Sequence, residues 1–139
     1  MTALLDLNVL LDVIQARQPH YADSAAVLSA ARSGEFNALL PIHAVPTIFY
    51  LIERSSGAAA ANQTVDWLLQ HFDLPPVDKA MLTRARSLSL TDFEDALVAS
   101  IAEKHGCDYI VSRNGSDFAG APIPAIAPGD FLRLLPKHF

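Results

Sequence analysis

A few acids and their oxygen-bearing neighbours are the residues of this chain that could hold a cation or activate water. Asp6 interrupts the apolar run "LLDLNVLLDV", residues 4 to 13, and Asn8 follows it. Asp92 and Asp95 stand close together in "TDFED", and "VSRNGSDF", 111 to 118, carries Ser112, Asn114 and Asp117. Most of these have an ordinary reading. An acid after a strand is a common turn or cap residue. Thr91 and Glu94 have the spacing of a capping box, with Thr91 as the cap. Asp92 in the first turn suits the helix dipole, and Asn-Gly is a turn signal. Asp95 resists such a reading. Positions 92, 95, 99 and 102 share one helical face and read Asp, Asp, Ala, Ala. The alanines let another element approach, which carries Asp95 toward the packed interior. An unpaired buried carboxylate is costly, and no lysine or arginine stands close in sequence. A divalent cation such as Mg²⁺, which takes carboxylate oxygens and keeps several waters, would supply the missing charge.

The elements that must position these groups alternate. Residues 2 to 5 read as a buried strand ending at Asp6, and Asn8 is expected to cap a helix through about Gln15. Asp12, further along that helix, is expected to face solvent. Residues 21 to 33 favour helix, and Gly34 ends them. A second strand is expected over 36 to 41. Helices follow over 43 to 55 and 58 to 71, separated by Gly57, with Pro46 tolerated in a first turn. A short extended piece, 73 to 78, leads to Asp78 as the cap of a helix over 79 to 87. "SLTDFEDALVASIAEKHG" is a helix with a clear start and stop. "DYIVS", 108 to 112, is a buried strand, "IPAIAP" a last short one, and Pro128 to Leu135 a closing helix. This order predicts one α/β domain with a mostly parallel sheet. Ligands of such sheets sit beyond the carboxyl ends of the strands, where strand order reverses, and Asp6 and Ser112 both fall there.

Composition agrees with one packed domain. Of 139 residues, 51% are hydrophobic and 18% charged, which argues against disorder. No apolar run approaches the roughly 18 residues of a membrane span, and no basic region precedes the first apolar residues, so neither a span nor a signal peptide is expected. The single cysteine, Cys107, allows no internal disulfide and fits a reducing cytoplasm. The five histidines show no zinc spacing. A net charge of −5 disfavours broad electrostatic binding of nucleic acid, although acids gathered at one metal site can dominate the total while other faces stay basic.

Taken together, "LLDLNVLLDV", "DFEDALVASIAEKHGCDYIVSRN", "SDF" and the late "IAPGDFL" resemble the PIN domains, and among them the VapC-type toxins of prokaryotic toxin–antitoxin pairs, over nearly the whole chain. The resemblance implies a five-stranded parallel sheet flanked by helices, residues 1–139 as a single PIN-like domain, and a metal-dependent endoribonuclease. Asp6 and Asp95 fall on two metal-binding acids, holding one or two Mg²⁺ or Mn²⁺ ions. Asp92 and Asp117 would assist directly or through water, and Ser112 and Asn114 would orient ligands, with Asn8 fixing the loop around Asp6. Asp117 or Asn114 lies near a fourth acidic position. One departure stands out: the glutamate usual in the first turns of the helix after the second strand is replaced by Thr47 or a near neighbour. Glu53 lies six residues on, and six residues rotate a helix by roughly 240°, so it is expected to face elsewhere, as a solvated acid beside Arg54.

The resemblance also implies an antitoxin partner whose segment lies in a groove near the site, and a homodimer. Phe49, Tyr50, Leu51 and Trp67 could line such a surface or belong to the core. Arg17, Arg54 and Arg113 could contact phosphate or be ordinary surface charges. Two rivals remain: a PIN-like RNA- or protein-binding module without turnover, suggested by the missing glutamate and the acidic balance, and a phosphotransfer domain using Asp6 as nucleophile. The latter would want a lysine after a later strand and a clearer phosphate loop, and the Ser112–Arg113 end offers neither.

Overall fold

In the computed structural model, which describes residues 1–136, four parallel strands form the order β2-β1-β3-β4. His138 lies outside those residues. The strands are β1 (Thr2–Leu5), β2 (Asn37–Leu39), β3 (Tyr109–Val111) and β4 (Ala125–Ile126). The fifth strand implied by the resemblance contracts to one parallel bridge, Asp73 on Leu39, at the β2 edge. The helices are α1 (Leu7–Ile14), α2 (Tyr21–Arg32), α3 (Ala44–Ser56), α4 (Ala58–His71), α5 (Lys79–Ser87), α6 (Phe93–Lys104) and α7 (Pro128–Leu132). Gly57, at φ 89, ends α3 and starts α4 in a conformation that glycine adopts without steric cost.

Alternation along the strands splits the core in two. Ala3, Leu5, Ala38 and Val111 face one side, where they meet α1 to α4 and α7. Leu4, Leu39 and Ile110 face the other, where α5 and α6 cover them. Helix α6 is buried continuously from Ala96 to Ala102, so its position is fixed by packing all round, and its first turn is carried to the sheet's carboxyl edge. Ser100, the polar residue in that buried run, satisfies itself by donating to the Met81 carbonyl at 2.8 Å.

Several local expectations change. Asp6, not Asn8, caps α1: its Oδ1 accepts from the Leu7 N–H at 2.9 Å. The carboxylate is the first acceptor after β1, and Asn8 falls inside the first turn. Asp92, not Thr91, caps α6, with its Oδ1 accepting from the Asp95 N–H at 3.0 Å. A charged acceptor makes the stronger cap bond, and Glu94 reaches across to another element instead of closing a capping box. Asp12 is fully buried rather than solvent-facing; Ser24 and Arg113, far apart in sequence, converge on it. The cap at Asp78 forms as expected, accepting from the Met81 N–H at 3.0 Å. The closing helix stops at Leu132, short of Leu135.

Candidate metal centre

Chain direction brings the carboxyl ends of β1 and β3 side by side, since Leu5 pairs with Val111. The next residues, Asp6 and Ser112, therefore meet. β2 lies on one side of β1 and β3 on the other, so this is the point where strand order reverses, the place at which sheets of this kind bind ligands. Asp6 is 6% exposed. Its Oδ2 accepts from Ser112 Oγ at 2.8 Å and from Asn8 Nδ2 at 3.2 Å. Asn8 Nδ2 also lies 3.2 Å from Ser112 Oγ, and the Asn114 N–H donates to that hydroxyl at 3.1 Å. Burial pushes the Asp6 carboxyl above its ordinary pKa; the Ser112 hydrogen bond opposes this and the nearby Glu94 charge adds to it.

The other wall comes from the first turn of α6. Carboxylate oxygens of Asp92, Glu94 and Asp95 lie within 4.8 Å of one another, and among the described residues no other three His, Cys, Asp or Glu side chains converge so. Asp92 and Asp95 line a cleft of ≈ 390 Å³ together with Ser116 and Asp117. Burial, then the charges of Asp92, Glu94 and Asp6, push the Asp95 carboxyl up to about 7. Among the described residues no lysine or arginine pairs with any of these acids. The one cationic candidate is His43 at the start of α3, whose Nε2 lies 2.8 Å from Glu94 Oε1.

The structure thus gathers Asp6, Asn8 and Ser112 in one network and Asp92, Asp95 and Asp117 around one cleft, with Asn114 on the loop between them. Glu53 and Thr47 are both exposed on α3, and neither is among the acids and hydroxyls gathered at the site. Reading the sequence missed Glu94, assigned to a capping box, and His43, taken as one of the scattered histidines. It also missed Asp12. The signal available for that residue was an acid in the apolar helix run "VLLDVI". A site of clustered carboxylates, all hard oxygen donors with an uncompensated charge, fits Mg²⁺ or Mn²⁺.

Comparison with known proteins agrees with this geometry. The PIN-domain family profile matches residues 2–116. The chain is 23% identical over 132 residues to Ribonuclease VapC1 of Aquifex aeolicus, covering 91% of this chain and 90% of that protein. It superposes on a toxin–antitoxin complex from Klebsiella pneumoniae with TM-score 0.68 and 20% identity, over 91% of this chain and 97% of the other. It superposes equally, at TM-score 0.68 and 14% identity, on VapC20 of Mycobacterium tuberculosis, described as a sarcin-ricin loop cleaving toxin, over 84% of this chain and 93% of that one. These structural likenesses show the fold.

Proposed function

The chain belongs to the PIN-domain family, and from that premise we propose a metal-dependent endoribonuclease of the VapC toxin type. The observation that carries this reading is the acid cluster of α6, without a lysine or arginine partner among the described residues and close enough to the buried Asp6 for their charges to interact. The ribonuclease and RNA-cleaving toxin among its relatives support it. Asp6 and Asp95 would hold the ion, with Asp92 and Asp117 at the open side of the cleft. A bound Mg²⁺ or Mn²⁺ supplies Lewis acidity, activating water toward a phosphodiester and stabilising charge on the departing oxygen. Ser112 and Asn8 aim the Asp6 carboxylate and hold one oxygen of it in place, which such sites need for affinity. Glu94, tied to His43, keeps a further carboxylate at the rim, on the α3 side where the usual glutamate is missing.

The expected protein partner is an antitoxin, as in the Klebsiella complex, with a homodimer as the expected toxin assembly. Trp67 lies half-buried beneath the Arg32 guanidinium, 5.7 Å from its ring, and Tyr50 is exposed. Cleavage of a single-stranded RNA with Mg²⁺ tests the enzymatic reading. Activity lost in Asp6→Asn and Asp95→Asn with the fold retained is the expected result. Unchanged cleavage in either variant rejects the assignment. Co-purification from the native operon tests the partner, and recovery of the protein always alone counts against an obligate antitoxin.

A further inference from the structure

We propose that Arg113 binds a backbone phosphate of the substrate and that the buried Asp12 holds it in position to do so. This rests on the ribonuclease reading. Arg113 follows Ser112 directly, and its N–H reaches Asn8 Oδ1 at 3.4 Å. Its Nε donates to Asp12 Oδ2 at 2.8 Å, and the same oxygen accepts from Ser24 Oγ at 2.9 Å. Asp12 has no solvent exposure. A chain of hydrogen bonds therefore runs from Ser24 through Asp12, Arg113 and Asn8 to Asp6.

Only the Nε of the guanidinium is committed. Its two terminal nitrogens have no partner among the described residues, and neither is a buried unpaired atom, so both reach solvent. The result is a planar donor group, fixed at one corner and open at the other two, beside the residue that holds Asp6. That geometry matches a phosphate, which takes parallel N–H donors. Fixing the side chain beforehand removes much of the ordering cost of the contact. Stability alone explains the pair poorly, since a buried ion pair often gains nothing over apolar packing of the same volume.

Other arginines are engaged away from the crevice. Arg84 is held by Glu103 through two nitrogens, Arg133 pairs with Asp130, and Arg32 and Arg54 lie over the Trp67 and Tyr50 rings. The net charge is −5 and the crevice is acidic, so the approach of a polyanion needs a local cation. Arg113 is placed to be that cation.

The test is cleavage of a short single-stranded RNA at saturating Mg²⁺ over a KCl series. It compares wild type, Arg113→Gln, and the double variant Asp12→Asn/Arg113→Gln, which leaves no unpaired buried charge. Both variants should lose roughly tenfold in kcat/KM, the scale of a hydrogen bond to a charged group, with the loss mainly in KM. The slope of log kcat/KM against log salt should become shallower by about 0.7, the value for one phosphate contact on a single strand. A pair that only supports the scaffold would lower the melting temperature and leave that slope unchanged. An unchanged slope in a folded variant, or failure of both variants to fold, overturns the proposal. Wild type that does not cleave at all overturns the ribonuclease reading itself, whereas active wild type with unaltered variants overturns only the role of Arg113.

Discussion

The Asp6 side and the Asp95 side of the crevice differ in what compensates their acids. Asp6 is deeply buried, yet the fold supplies it with a hydroxyl, an amide and a backbone N–H. Asp95 is more open and, among the described residues, receives no such donor; its neighbours Asp92 and Glu94 carry the same charge. One side is a carboxylate fixed by the scaffold. The other is a concentration of charge that the protein alone leaves unbalanced, and such imbalance persists where a ligand resolves it. Together they give a rigid oxygen and a cation-seeking one.

That contrast predicts opposite signs for substitutions on the two sides. Asp95→Asn should have the largest effect: RNA cleavage is lost, while the metal-free protein melts at a higher temperature near pH 8. The folded-state pKa of Asp95 is raised from 3.8 to about 7, so the folded protein holds this proton more tightly than the unfolded chain. Its contribution to metal-free stability is full below about pH 4 and is lost as pH rises through about 7. Thermal melts from pH 4 to 8 should show this decline in wild type and a flatter profile in the variant; identical profiles would break the contrast. Ser112→Ala should act in the other direction, destabilising by about 1–3 kcal/mol because it strips the closest donor from a buried carboxylate; denaturant titration measures this. Asp92→Asn keeps a capping side chain, since Asn caps as well as Asp. It removes one repulsive charge, so metal-free stability near pH 8 should rise by less than in Asp95→Asn. Glu53→Gln should be silent, within about 0.5 kcal/mol in stability and unchanged in cleavage; a loss of activity would bring Glu53 into the site.

Much of this contrast was legible in the sequence, and the parts that were not share a cause. Strand ends at Asp6 and Ser112, the small-residue face of α6 and the cap at Asp78 follow from periodicity and local propensity. The parallel sheet follows from the alternation of strands and helices, and the family resemblance added its strand count. What escaped was contact between distant segments. Asp12 looked solvated because its partners lie on other elements: Ser24 on α2, which packs against α1, and Arg113 just past β3. Glu94 looked like half of a capping box because His43 lies on another helix. The two misplaced caps arose where neighbouring residues could all cap, and the carboxylate prevailed over amide and hydroxyl. The fifth strand is a single bridge: the Leu40 N–H to Asp73 carbonyl bond belongs to it, and past Leu40 the chain turns into α3 instead of extending the ladder.

The central claim is that Asp6 and Asp95 together hold a divalent cation. Calorimetric titration of Mg²⁺ into wild type, Asp6→Asn and Asp95→Asn at pH 6 and pH 8 tests it most directly. Binding should appear in wild type, tighter at pH 8 because Asp95 must first give up its proton, and it should vanish in both variants. No binding by wild type, or equal binding by the variants, would contradict the account.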